Sequence, residues 1–336
     1  MIARFKSALI SGLFLLLASA AQGAPLLVVG HKNPDSDSIF AAISLAYLKT
    51  QQGTPAVAIA QGKPNPESQF VLDYFGLQAP PLELKVAGNK VVLVDHNSYS
   101  QAPDDIREAE LVGIVDHHNL GGILTNDPVE VLIQPVGSTN SIIWQLYERA
   151  GVAIPSAIAG GMLSAIFSDT LAFRSSTTTD LDRAAVKSLA SIANIKDIQE
   201  YGQQMLSAGE ADLKTAPIRS LLQRDFKNFD MSGNKVGVAQ LTAVSFDLLK
   251  NRKAEFLDDM QTLQKEQGYK SLVLMLTDIQ SEGTELLVVG ENQLEIGRAF
   301  HASMENHSAW VAGLMSRKKQ VIPVLEKVFD HRSPSL

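Results

Sequence analysis

Short, nearly unbroken Val, Leu and Ile runs recur between amphipathic stretches, and they constrain this chain more than any other feature. Residues 26–30, 56–60, 91–94, 111–115 and 129–133 are such runs, while 38–49, 67–75, 141–150, 157–167 and 181–193 carry helical periodicity. A strand without polar alternation is buried on both faces, which calls for a parallel sheet covered by helices. Sheets of that kind bind ligands beyond the carboxyl ends of their strands. Three of those ends carry the same chemistry: His31-Lys32-Asn33-Pro34-Asp35-Ser36-Asp37, Asp95-His96-Asn97 and Asp116-His117-His118. Four of the seven histidines therefore stand at strand ends beside aspartates. Imidazole with carboxylate is the donor set of manganese, cobalt, iron or zinc.

Read singly, these residues leave alternatives open. Asp35 or Ser36 can cap the helix that begins near Ser38, and Pro34 biases Asn33 toward extended backbone. Asp95-His96 reads equally as a hydrogen-bonded structural pair. His117 and His118 cannot both face one apolar core, so a ligand role is the simpler account. Asp169 follows the apolar helix 157–167, at a helix end where the dipole disfavours a carboxylate. A nearby cation removes that cost; a turn-stabilising role is the other reading. Far along the chain, Ser316-Arg317-Lys318-Lys319-Gln320 fits either a solvated turn or a clamp for phosphate oxygens.

The whole chain bounds the function. Its formal charge of −7 argues against nucleic-acid or anionic-membrane binding. With no cysteine there is neither a disulfide framework nor a thiol nucleophile. Arg4 and Lys6 precede an apolar stretch at 8–18, and Ala18-Ser19-Ala20 and Ala21-Gln22-Gly23 both fit a signal-peptidase site. Residues 1–23 therefore read as a secretory signal, with an uncleaved membrane anchor as the alternative, and the protein as exported, soluble and, in a cell with two membranes, periplasmic. The remaining length suits two α/β domains. The first spans 24–206, a polar linker 207–216, and a smaller C-terminal domain 217–336, with strands at 235–241, 271–277 and 285–290 and a long helix at 246–266. Metal ligands on one domain and cations on the other place the active site in the cleft between them.

Taken in order, His-x-x-Pro-Asp-x-Asp, Val-Asp-His-Asn, Asp-His-His, Ser-Asp and Ser-Arg-Lys-Lys-Gln resemble the manganese-dependent family II inorganic pyrophosphatases, of the DHH phosphoesterase superfamily. The resemblance runs from Leu26 to about Phe329. It implies a Rossmann-like first domain carrying two Mn²⁺ or Co²⁺ ions. One would be held by His31, Asp35 and Asp95; the other by Asp37, Asp95, His117 and Asp169, with Asp95 shared. It further implies that His118 assists the leaving group, that Lys227, Arg317 and Lys318 grip phosphate, and that Mg²⁺ accompanies the substrate. A homodimer through the first domain is implied as well. The expected reaction is hydrolysis of pyrophosphate to two phosphates by in-line attack of a hydroxide bridging the metals. The competing readings are a related phosphoesterase acting on short polyphosphate or nucleotides, and a non-catalytic exported protein that binds metal or phosphate.

Overall fold

The computed structural model of the protein describes residues 23–244, 247 and 249–330; the secretory-signal reading falls on residues outside these, Gly23 apart. Among the described residues no helix is long and apolar enough to cross a membrane. The N-terminal half builds one sheet from β1 (Leu26–Lys32), β2 (Ala56–Gln61), β3 (Lys90–Val94), β4 (Glu110–Asp116) and β5 (Glu130–Ile133), in the order β2-β1-β3-β4-β5. All four pairings are parallel, as aliphatic runs of this kind require.

Helices α1 (Ser36–Gln51), α2 (Pro66–Phe75), α3 (Thr139–Ala150), α4 (Ser156–Asp169), α5 (Asp180–Ala193) and α6 (Ile198–Gly209) complete this half. One face of the sheet packs on α1 and α3, which α4 and α5 cover in turn, and Val28, Val92, Phe40, Ile142 and Met162 share this core. The opposite face departs from the expectation of helices on both sides. Val29, Leu93 and Ile114 are covered there by Val86, from the stretch between α2 and β3, and by Ala102 and Ile106, from the stretch between β3 and β4. Neither stretch forms an α-helix, yet their apolar residues seal the face. Gly30 is required where β1 meets α1, since a Cβ there would lie 2.0 Å from Ser38 Oγ.

The C-terminal half adds α7 (Ile218–Gln223), β6 (Phe226–Met231), β7 (Asn234–Ala243), α8 (Lys253–Gln267), β8 (Ser271–Asp278), β9 (Gly283–Gly290), α9 (Gln293–Ala299), β10 (Ser308–Ala312) and α10 (Ile322–Phe329). Its mixed sheet runs β10-β9-β8-β7-β6, with only β7 and β8 parallel. β8 is buried throughout. Leu272, Leu274 and Leu276 face α7 and α8, while Val273 and Met275 face α9 and α10. This period of two is the strand signature.

Three local features depart from the sequence reading. Residues 207–209, placed in a linker, are the last turn of α6. The helix expected over 246–266 begins at Lys253, after a 3₁₀ turn at Lys250–Arg252, and residues 245, 246 and 248 lie outside the described residues. Asn33 takes φ 52° rather than an extended conformation, a left-handed turn that Asn tolerates.

Candidate metal centre

The winding direction of the N-terminal sheet reverses between β1 and β3, the position where open α/β sheets form a ligand crevice. His31 is the penultimate residue of β1, Asp95 follows β3, and His117 follows β4. Asp35 uses its two oxygens differently, one of them in the cap that the sequence allowed. Its Oδ1 accepts the Ser38 N–H at 3.0 Å and caps α1, while Oδ2 lies 3.2 Å from His31 Nε2. Asp95 adopts φ 61°, and this turn at the strand's end carries its carboxylate between the two histidines. Oδ2 lies 3.3 Å from His31 Nε2, and Oδ1 lies 3.3 Å from His117 Nε2. His117 Nε2 is also 3.3 Å from Asp169 Oδ2 and 3.7 Å from Asp37 Oδ2.

The outer nitrogens decide which ring atom faces the cluster. His31 Nδ1 donates to the Lys32 carbonyl at 2.8 Å, leaving Nε2 turned to the carboxylates. His117 Nδ1 lies 3.1 Å from the Val136 carbonyl and 2.9 Å from Lys318 Nζ. Only the carbonyl contact is compatible with a proton on Nδ1, and that tautomer keeps a lone pair on Nε2 for a cation.

Two donor sets coincide with the expected ligands, His31, Asp35 and Asp95, and Asp37, Asp95, His117 and Asp169, the ligand atoms within each set lying within 4.8 Å of one another; a third grouping, Asp95, His117 and His118, overlaps the second. Burial pushes the Asp37 carboxyl up to about 7, and the charge of Asp95 adds to the effect. Burial also drives Asp169 well above the usual carboxylate range, helped by Asp37, Asp35 and Asp95. Burial alone would lower His31, yet the Asp35 and Asp95 carboxylates raise it to about 10. Four carboxylates this close, Asp37 and Asp95 buried and Asp35 and Asp169 half-buried, repel each other until positive charge joins them. Asp95 Oδ2 and His117 Nε2 are buried without a hydrogen-bond partner, which is uncommon for such atoms. A divalent cation supplies what both lack, and the oxygen and imidazole donors suit it.

His96, by contrast, turns its Nδ1 to the Val94 carbonyl at 2.8 Å and belongs to neither donor set. His118 Nδ1 donates to Asp116 Oδ1 at 2.8 Å, and Asp116 is held in turn by the N–H groups of His117 and His118 and by Asn97. Asp116 thus orients the double histidine and is absent from both donor sets.

Sequence reasoning missed the residues that hold Asp37. Its carboxylate accepts Ser138 Oγ at 2.5 Å, the Thr139 N–H at 2.7 Å, the Asn140 N–H at 3.2 Å and Asn140 Nδ2 at 2.8 Å. The N-terminus of α3 therefore grips this carboxylate, as helix N-termini grip anions. Thr139 Oγ1 donates to Asp95 Oδ1 at 3.1 Å. Buried Asp182 fixes that loop, accepting the Gly137 N–H at 2.9 Å and Ser141 Oγ at 2.6 Å. A Cβ at Gly137 would fall 2.8 Å from Asp182 Oδ2. The Ser-Thr-Asn run ahead of α3 was the available signal; it reads as an ordinary cap.

A cleft of about 870 Å³ brings both halves of the chain onto this cluster. From the C-terminal half, Lys318 Nζ donates to the His117 carbonyl at 2.8 Å. Buried Lys227, on β6, acts electrostatically on His31, Asp35 and His118. Arg317 is anchored on the cleft wall, donating to the Asp225 carbonyl at 2.9 Å and its carboxylate at 2.8 Å. The three consecutive cations thus separate: Lys319 donates to the Ser176 carbonyl at 2.7 Å instead. Trp310 lines a separate surface groove with Lys253 and Glu285.

Two family models match, the DHH family N-terminal domain over residues 25–166 and the DHHA2 domain over 203–328. A Streptococcus mutans protein is 44% identical over 91% of this chain and 99% of its own length, and an Archaeoglobus fulgidus protein 43% identical over 90% and 97%. Both carry the name "probable manganese-dependent inorganic pyrophosphatase". A crystal structure of a Methanococcus jannaschii protein assigned to the family II inorganic pyrophosphatases superimposes with a TM-score of 0.83 at 39% identity, over 90% of this chain and 99% of that one. Identity of that order along nearly the whole length, through both domains, means that the chain belongs to the family of manganese-dependent inorganic pyrophosphatases.

Proposed function

We propose that this protein hydrolyses inorganic pyrophosphate to two phosphates in the cleft between its domains, with two divalent ions, Mn²⁺ or Co²⁺, resident and Mg²⁺ accompanying the substrate. The observation that carries the reading is the pair of donor sets sharing Asp95, faced by Lys318 from the other domain. When bound, the ions act as Lewis acids that acidify a water and neutralise phosphate oxygens. His31, Asp35 and Asp95 would hold one ion, and Asp37, Asp95, His117 and Asp169 the other.

The remaining residues bind and move protons. Lys227, Lys318 and the free donors of Arg317 neutralise the phosphoryl group under attack, where positive charge lowers the barrier most. His118 is neutral at rest, because burial and the Lys227 charge push its pKa down to about 3. With Nδ1–H committed to Asp116, Nε2 is the ring atom left for substrate. Nε2 would take up the proton lost by the attacking water and pass it to the linking oxygen as negative charge grows on the leaving phosphate. Direct in-line displacement needs no side-chain nucleophile.

The layout of residues 1–23 supports export to the periplasm, and the net charge of −7 supports a small charged substrate over nucleic acid or a membrane surface. The open edge at β5, where Val131 is exposed, supports a homodimer through the N-terminal domain. Phosphate release from pyrophosphate, tripolyphosphate and a dinucleotide, each with Mn²⁺, Co²⁺, Mg²⁺ or Zn²⁺, tests the chemistry. Fast release from pyrophosphate with Mn²⁺ is expected; a preference for either other substrate would refute it. The mass of protein recovered from periplasmic extracts tests the leader, and sedimentation tests the dimer.

A further inference from the structure

Glu67 is an acidic side chain that neither donor set uses. It stands in the first turn of α2, and its Oε1 accepts two hydroxyls, Ser36 Oγ at 2.7 Å and Ser168 Oγ at 2.6 Å. Ser36 lies between Asp35 and Asp37, and Ser168 immediately precedes Asp169. A single oxygen therefore ties the start of α1 to the end of α4, the two helix ends that deliver three of the four carboxylates. Ser36 Oγ is also 3.0 Å from Ser68 Oγ, which fixes its rotamer from the α2 side. Behind the side chain, a Cβ on Gly209 would come 3.3 Å from Glu67 Cβ, so the last turn of α6 backs it closely.

Two contributions are open to such a residue: its charge, which attracts any cation nearby, and its accepting oxygen, which sets a distance. Both hydroxyls converge on the same atom and belong to chain neighbours of ligands, which favours the second. We propose that Glu67 is a positioning residue: it sets the separation between the Asp35 and Asp37 carboxylates and that of Asp169, and so the fit of the four-donor set to its cation. The proposal rests on the reading of the cluster as a metal centre.

Mn²⁺ titration of the metal-free protein by calorimetry tests it, with no turnover involved. Glu67→Ala is expected to weaken Mn²⁺ binding about 10- to 100-fold, as loss of an outer partner does. Glu67→Gln keeps an accepting oxygen and should stay within about threefold of wild type. Ser168→Ala, which removes one tether and spares α2, should fall between them and decides the matter if Glu67→Ala does not fold. Wild-type affinity in the Ala variants overturns the proposal. A Gln variant as weak as Glu67→Ala assigns the effect to charge and overturns it too. Wild-type protein that takes up no Mn²⁺ sinks the metal-centre reading itself, a result distinct from either.

Discussion

Asp95 concentrates the chemistry of this protein in one side chain. Each of its oxygens faces a different histidine, and its backbone is held at φ 61°, a conformation costing an ordinary residue roughly 1–2 kcal/mol. Asp and Asn tolerate it best, so Asp95→Asn should fold with an unchanged circular dichroism spectrum. It removes the charge that both donor sets share. Mn²⁺ affinity is expected to fall at both sets by more than about 100-fold, beyond what an outer partner costs, with pyrophosphate turnover lost. Calorimetric titration and a phosphate-release assay read the two effects separately. His31, Asp35 and Asp37 were legible in the sequence because seven consecutive residues hold all three. The division of the two Asp35 oxygens, one to the Ser38 N–H and one to His31, was not, since it depends on side-chain geometry that residue order does not carry.

At the scale of elements, the start of α3 is the support on which Asp37 rests, and Asp182 on α5 is the support of that start. Asp182→Ala would leave the Gly137 N–H and the Ser141 hydroxyl buried without acceptors. At about 1–3 kcal/mol for each stranded group, a loss of at least about 2 kcal/mol is expected in urea unfolding, together with weaker Mn²⁺ binding. The end of α6 offers a pH-dependent case. Burial raises the Glu210 pKa, and Asp278 adds to the rise. Ionising Glu210 therefore costs more in the folded chain than in the unfolded one. Its stabilising contribution is present below the ordinary glutamate value of about 4.3 and is lost as pH climbs through the raised folded-state pKa. Glu210→Gln keeps an oxygen for the Val244 N–H and removes the charge. The variant is expected to melt higher than wild type at pH 8, with the difference vanishing by pH 4. Neither Asp182 nor Glu210 stood out in the sequence, because each acts on a backbone segment 30 or more residues away.

For the whole molecule, the two domains meet over the cluster through few groups. Lys318 reaches His117, Lys319 reaches Ser176, and Leu171 packs with Ile279 and Met315. A cation bound in the cleft stabilises the folded chain that holds it. Stripping divalent ions with a chelator is expected to lower the melting temperature, and added Mn²⁺ to restore it in a concentration-dependent way. Ligand at about 100 times its Kd contributes about 2.7 kcal/mol to a folded state that alone binds it. Scanning calorimetry across a Mn²⁺ series checks this; a melting temperature indifferent to both treatments would contradict a metal centre built on Asp37, Asp95 and Asp169.

The parallel sheet, the strand ends that bear histidine and aspartate, and the cationic run at 316–320 could be read from residue order alone, because each is a local pattern of neighbouring residues. The one-sided helical cover of the N-terminal sheet, the grip of α3 on Asp37, the tether at Glu67 and the parting of Arg317, Lys318 and Lys319 were decided only in three dimensions. Each of these depends on contacts between segments distant in the chain. A carboxylate or hydroxyl chooses its partner by distance and burial, and neither quantity exists until the chain has folded.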